Sequence, residues 1–371
     1  MHLPRTPYPV ILRSRLEANI ARMQAIATAA GARLRPHAKT HKSPEIARMQ
    51  IAAGAVGICC AKLSEAEIFA DHGISDIRLP YPLNPINADR VIALLSRTRL
   101  SFIVDDEDVA RDWSSAMARA RCTVDILVKI DVGFHRCGMN PGEPGLADRI
   151  ARIAALPGLN FRGLLSHAGH AYHAHSRDEL AAIATRELDI LTTLAAALRS
   201  RGVAVEELSV GSTPTAAFAP TQRGITEMRP GNYVFFDRTQ VGLGAAAIRD
   251  CAMFIIATVV SRPAATRVIL DCGAKTLTND GARGFTGAPG HGWVFMASAE
   301  DTPSLDIIIE RLSEEHATCA VPAESPLKPG DRVRVLPNHS CPVTNLMDVL
   351  WMADTDGALS PLPVAARGRI W

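Results

Sequence analysis

The sequence predicts an α/β protein, a (β/α)8 barrel joined to a second, mostly β domain. Three observations predict it. Strand-length apolar runs alternate with helical patterns for about eight units up to residue 240. Polar or glycine-rich segments fall at the carboxyl ends of those runs, where such barrels carry their chemistry. No dinucleotide glycine fingerprint interrupts the alternation, which favours a barrel over an open doubly wound sheet.

Residues 8–12 read as a short strand. Residues 15–30 read as a helix with Leu16, Ile20, Met23 and Ile26 or Ala27 on one face, stopped by Gly31. A brief extended piece at 34–36 delivers Lys39 at its carboxyl end. Ser43 then caps the next helix, with Pro44 at its first position. Strands follow over 56–60, 77–79, 100–104, 124–130, 159–165 and 207–210. Helices over 64–72, 85–96, 144–155 and 178–199 lie between them, with an acidic helix start at 105–108. Near residue 245 the rhythm changes. Residues 254–260, 265–271, 291–296, 304–313, 332–336, 349–352 and 359–364 read as strands joined by turns such as 279–282, with no helix between them. The expected division is 13–240 for the barrel, and 1–12 with 241–371 for the β domain, which takes up the N-terminal strand.

At 371 residues and 47% hydrophobic, the chain can bury a large core. A formal charge of +2 with 21% charged residues gives no nucleic-acid footprint and no acidic tail. No apolar run reaches 18 residues, so no membrane span is predicted, and the start lacks the apolar core of a secretory signal. The 8 cysteines are scattered, which reads as reduced thiols in a cytoplasmic protein.

Four clusters in the barrel and one in the β domain can carry chemistry. Residues 34–43 crowd Lys39 with His37, Thr40 and His41. A lysine amine can capture a cofactor or substrate aldehyde, yet a basic run alone reads equally as solvated surface or a phosphate contact. Arg136, after the strand 124–130, can hold an anion or a cofactor oxygen through its rigid fork, or simply form a rim salt bridge. His167, His170, Tyr172, His173 and His175 fall within nine residues at a strand end, with His173 and His175 as readily exposed loop. The run 211–215, Gly-Ser-Thr-Pro-Thr, offers backbone and hydroxyl donors for a phosphate, as do Gly231 and Asn232. In the β domain His339 and Cys341 stand two apart, and on an extended segment both point the same way, towards one ion. The alternative there is a buried cysteine near an ordinary histidine. His135, His175 and Arg238 are candidates to meet a second substrate carboxylate.

The segment 35–47, Arg-Pro-His-Ala-Lys-Thr-His-Lys-Ser-Pro-Glu-Ile-Ala, resembles the lysine motif of the pyridoxal-phosphate enzymes with an alanine-racemase-like barrel. More narrowly, it is similar to the D-threonine aldolase and D-serine dehydratase branch. Residues 55–67, 131–138, 226–237, 314–316 and 363–368 match the same branch, so the resemblance runs over nearly the whole chain. It implies that Lys39 holds pyridoxal 5'-phosphate, with Arg136 on the cofactor side and Tyr172 near its ring. It also implies that Ser212, Thr213, Gly231 and Asn232 hold the phosphate. His339 and Cys341 fall where the dehydratases bind a divalent metal, generally zinc. The aldolases usually carry a Gly-Gly-Gly-Thr-Gly-like loop and a His-Cys-Asp triplet that holds manganese or magnesium. Here the loop 211–215, the His339-Ser-Cys341 run and the segment 166–172 are dehydratase-like, whereas the N-terminal motifs and 342–346 lean towards the aldolases.

Residues at the active centre decide reaction type, so the expectation is a cytoplasmic, homodimeric lyase of β-hydroxy-D-amino acids, dehydratase first. It would release ammonia and a 2-oxo acid, with zinc ahead of manganese or magnesium because a thiolate softens the site. The alternative is an aldolase that gives glycine and an aldehyde, with His167 or His170 as the base; a racemase ranks behind both. The competing class, a non-catalytic pyridoxal-phosphate carrier, is generally a bare barrel and lacks the β domain.

Overall fold

A computed structural model of the chain describes residues 4–281, 283–285, 289–296 and 301–371. Eight parallel strands lie side by side in the order Arg33–Leu34, Glu227–Met228, Glu207–Val210, Leu159–Leu165, Val124–Lys129, Arg99–Val104, Asp76–Pro82 and Ile58–Cys59. The sheet curls until its edges meet. A parallel bridge joins His37 to Cys59, and the Cys59 N–H donates to the Pro36 carbonyl at 2.7 Å. These are the strands that the alternation predicts, with bounds shifted by a few residues, and the predicted piece at 226–231 supplies Glu227–Met228.

The helices between them begin where local chemistry allows. Asp106 accepts from the N–H groups of Asp108 and Val109 to start Glu107–Ala120, and Ser176 accepts from Glu179 to start Arg177–Arg199. Pro44 opens Pro44–Ala52 as predicted, but the Ser43 hydroxyl makes no capping bond; the Ser43 N–H instead donates to His41 Nδ1 at 3.1 Å.

The barrel interior is partly ionic. Arg78 reaches Glu207 at 2.8 Å and Glu227 at 2.5 Å, and Arg35 reaches Glu227 at 2.7 Å and Asp76 at 2.5 Å. The strand of Arg78 is not next to those of Glu207 and Glu227, so these contacts cross the inside of the barrel.

Nine strands form the second sheet. Tyr8–Leu12 runs antiparallel to Met253–Ala264 and parallel to Val349–Ala353, so the N-terminal strand is taken up here as expected. Arg267–Leu270 closes back on Met253–Ala264, which turns six of the strands into a small barrel. Helices do intervene, contrary to the sequence reading. Ala274–Leu277 and Ser340–Leu346 are helical, the second because the Ser340 N–H donates to Asp237 Oδ2 at 2.9 Å and fixes its first turn. The predicted strand 304–313 is shorter, Ile308–Leu312, because the Ile307 N–H turns back to the Ser304 carbonyl at 3.0 Å. Ala282 of the predicted turn 279–282 lies outside the described residues. No described helix is long and apolar enough to cross a membrane.

Candidate active site

A cavity of about 270 Å³ opens at the carboxyl ends of the barrel strands, and the second sheet supplies its far wall. Lys39 enters it from the turn Ala38–Thr40 that follows the strand Arg33–Leu34; His37 caps that turn, its Nδ1 accepting from the Lys39 N–H at 3.4 Å. His37 and Thr40 share the cavity, whereas buried His41 is turned away, edge-on to Phe69. Arg136, exposed, reaches the cavity with its guanidinium 5.0 Å from the centre of the Phe134 ring.

His167 follows the strand Leu159–Leu165. Its Nδ1 lies 2.7 Å from the Gly211 carbonyl, to which it donates, leaving Nε2 as the basic nitrogen. Burial, with the nearby charges of Lys129 and Lys39, holds this imidazole well below its usual range, so it is neutral at pH 7. Burial, Lys39 and Arg229 do the same to His37. Tyr172 lines the cavity, and burial pushes its phenol up. His173 also lines it. His170 does not; it packs against Gly133.

Two loops offer free donors to the same space. The N–H groups of Ser212, Thr213, Gly231 and Asn232 donate to no backbone carbonyl among the described residues. Gly231 gives this approach room: a Cβ there would stand 3.0 Å from the His37 Cβ, the His37 carbonyl oxygen and Thr40 Oγ1, tighter than most real contacts. Asn232 Nδ2 donates to Asp237 Oδ2 at 2.6 Å, while its buried Oδ1 finds no partner among the described residues. Such paired runs of unspent donors suit a phosphate group, and Lys39 beside them suits an aldehyde. These residues fit pyridoxal phosphate.

On the far wall His339 is extended and Cys341 lies in the first turn of Ser340–Leu346. The sequence reading placed both on one extended segment. They line one cavity instead because the helix turns the thiol back towards the imidazole. Cys341 Sγ also stands 3.2 Å from Thr40 Oγ1, and His339 Nδ1 stands 2.5 Å from Asp280 Oδ2. Burial opposes charge on both groups. Their mutual attraction outweighs it, so His339 is raised to about 9 and the Cys341 thiol is lowered. No three described His, Cys, Asp or Glu side chains are grouped to hold an ion. The donor set is therefore an imidazole and a thiolate with open positions, which suits zinc. The carboxylate on Nδ1 is the support such a ligand requires.

The three sequence candidates for a second substrate carboxylate lie elsewhere. His135 pairs with Asp131, His175 is exposed outside the cavity, and Arg238 is buried against the Pro289 carbonyl and the Trp293 ring. Residues that sequence reasoning missed line the cavity instead: Lys129, Arg229, Asp237, Asp280 and Arg283. Lys129 follows the apolar run Ile126–Val128 at the end of its strand, a signal that was available. Burial first, then the charge of Arg229, pushes it down to about 7. Arg229 is spent on the Ser209 hydroxyl at 2.6 Å and on the Val210 and Ser166 carbonyls.

Two family models cover the chain, the alanine racemase N-terminal domain over residues 11–239 and the serine dehydratase domain over 252–353. A D-threonine aldolase of Arthrobacter is 34% identical over 98% of this chain and 93% of its own. A D-threo-3-hydroxyaspartate dehydratase of Delftia is 35% identical over 91% of this chain and 90% of its own. Solved structures of that dehydratase, one of them a cysteine-to-alanine mutant in the metal-free form, superpose with a TM-score of 0.92 at 32% identity. They cover 99% of this chain and 98% of theirs.

Proposed function

The chain belongs to the alanine-racemase-like pyridoxal-phosphate enzymes that include D-threonine aldolase and the D-serine dehydratases, and we propose that it is a metal-dependent lyase of β-hydroxy-D-amino acids. The reaction we assign is dehydration, with release of ammonia and a 2-oxo acid. One observation carries the assignment: the His339 and Cys341 pair shares a cavity with Lys39, and the thiol lies 3.2 Å from the hydroxyl of the adjacent Thr40.

Bound through Lys39, pyridoxal phosphate supplies an electron sink for the bond that breaks at Cα. In this reading Ser212, Thr213, Gly231 and Asn232 hold its phosphate with backbone N–H groups, Arg136 takes an oxygen on its ring side, and Tyr172 stands near the ring. Lys39 Nζ would serve as the base for the Cα proton. His339 and Cys341 hold a divalent ion, zinc by the softness of the thiolate, which supplies Lewis acidity at the β-hydroxyl. Asp280 keeps the proton of His339 on Nδ1, so Nε2 is the ring atom left for the ion. His37 and His167, neutral in their buried setting, add no charge that would compete with it.

A second reading has its own observation. His167 Nε2 is a neutral base in the cavity, able to take the proton of a β-hydroxyl. That would direct the site to Cα–Cβ cleavage and make the chain an aldolase. His170, set back from the cavity, is a weaker base candidate. In either case the active form is proposed to be a homodimer.

The test is a product assay with D-serine, D-threonine and D-threo-3-hydroxyaspartate. Formation of a 2-oxo acid and ammonia supports dehydration. Formation of glycine and an aldehyde replaces it by the aldolase reading, and neither product refutes both.

A further inference from the structure

We infer that Arg283 is the residue that selects a substrate carrying a second carboxylate on its β-carbon. This deepens, and rests on, the lyase reading above. Arg283 lies among the described residues 280, 281 and 283–285, which border the cavity. The chain is fixed on both sides of it. Before Arg283, the Asp280 carbonyl accepts from Asn338 Nδ2 at 2.9 Å, and its carboxylate holds His339. After it, the Phe285 N–H donates to the Gly242 carbonyl at 2.8 Å, and the Phe285 ring packs on Ala171, Ala174 and Leu180.

Two glycines let the chain lie this close. A Cβ on Gly284, whose φ is +112°, would stand 2.4 Å from the Gly242 carbonyl carbon; one on Gly242 would stand 2.7 Å from the Arg283 carbonyl oxygen. Both distances are impossible for real side chains, so the approach is built into the sequence. Its result is that Arg283 lines the cavity together with His339 and Cys341.

The charge inventory of the cavity singles this arginine out. Arg229 is buried and spent on the barrel strands. Lys129 is buried beneath, and Lys39 is the amine that captures the aldehyde. Asp280, the acid nearest in sequence, is engaged by His339, and no ion pair among the described residues uses Arg283. A planar, permanently charged fork lining the cavity, together with the groups that would meet a β-hydroxyl, matches a carboxylate on the same carbon. The substituent of D-serine or D-threonine at that carbon, hydrogen or methyl, offers it nothing.

The test compares holoenzymes of wild type, Arg283→Gln and Arg283→Lys. In steady state, the ratio of kcat/KM for D-threo-3-hydroxyaspartate to that for D-serine falls at least tenfold in R283Q and is partly kept in R283K. In parallel, D-aspartate and D-alanine, which lack the hydroxyl, are titrated while the cofactor's absorbance band is followed. Wild type binds D-aspartate at least tenfold more tightly than D-alanine, and R283Q loses that preference. An unchanged ratio and preference in R283Q, or no preference in wild type, overturns the inference. If no β-hydroxy-D-amino acid is turned over while the preference still depends on Arg283, the lyase reading fails and the inference stands.

Discussion

Thr40 Oγ1 lies 3.2 Å from Cys341 Sγ, so the residue next to Lys39 touches the thiol of a helix that comes from the other sheet. The amine and the imidazole–thiol pair are thereby parts of one site. Replacing the thiol should separate their duties. Cys341→Ala is predicted to retain the visible absorbance of lysine-bound cofactor but to lose its divalent ion. Turnover should fall by about a hundredfold or more, since Lewis-acid stabilisation is worth several kcal/mol. Elemental analysis and spectra of the same sample check it.

Asp280 accepts from His339 Nδ1 and fixes which ring nitrogen is free. Asp280→Asn is predicted to weaken metal affinity roughly 10- to 100-fold while cofactor binding is unchanged. Competition with a chromogenic chelator measures it.

Glu227 is fully buried between Arg35 and Arg78 and accepts from the Ser209 hydroxyl at 2.6 Å. Burial alone would raise its carboxyl, but the two guanidinium groups reverse this and hold it well below the usual range. Its contribution is therefore whole above about pH 4.5, its ordinary value, and is lost as pH falls further. Glu227→Gln leaves two buried cations short of a partner and should cost about 3–5 kcal/mol of stability, read by denaturant unfolding near neutral pH.

Lys129 gives a pH signature of the same sign in a different, alkaline window. Its value falls from 10.5 to about 7 on folding. Between those values unfolding takes up a proton, so this residue makes stability rise with pH across the window and contributes no slope below it. The stability difference between wild type and Lys129→Met should climb from pH 7 to pH 10 and be flat from pH 5 to 6. A flat difference throughout would contradict the buried, depressed amine.

Much of the architecture was legible because periodicity reports burial. The strands Val124–Lys129 and Leu159–Leu165 carry apolar residues at most of their buried positions, and the loops after them carry Arg136 and His167 to the cavity. The run at 211–215 stood out as a candidate phosphate cradle for the same reason, since it follows a buried strand. What sequence could not give is what tertiary contact decides. Ser340–Leu346 is helical because of Asp237, about a hundred residues earlier in the chain. Asp280 matters through an imidazole 59 residues away, and Arg283 reaches the cavity only because Gly242 and Gly284 let two segments touch. Arg238 looked available in sequence but is consumed by backbone carbonyls.

The central claim is that Lys39 is the amine that carries the cofactor. Reducing the cofactor-loaded protein with borohydride and mapping the modified peptide by mass tests it most directly. The account predicts a pyridoxyl phosphate increment on Lys39 alone. An increment on Lys129, the other lysine of the cavity, or no increment at all, would contradict it.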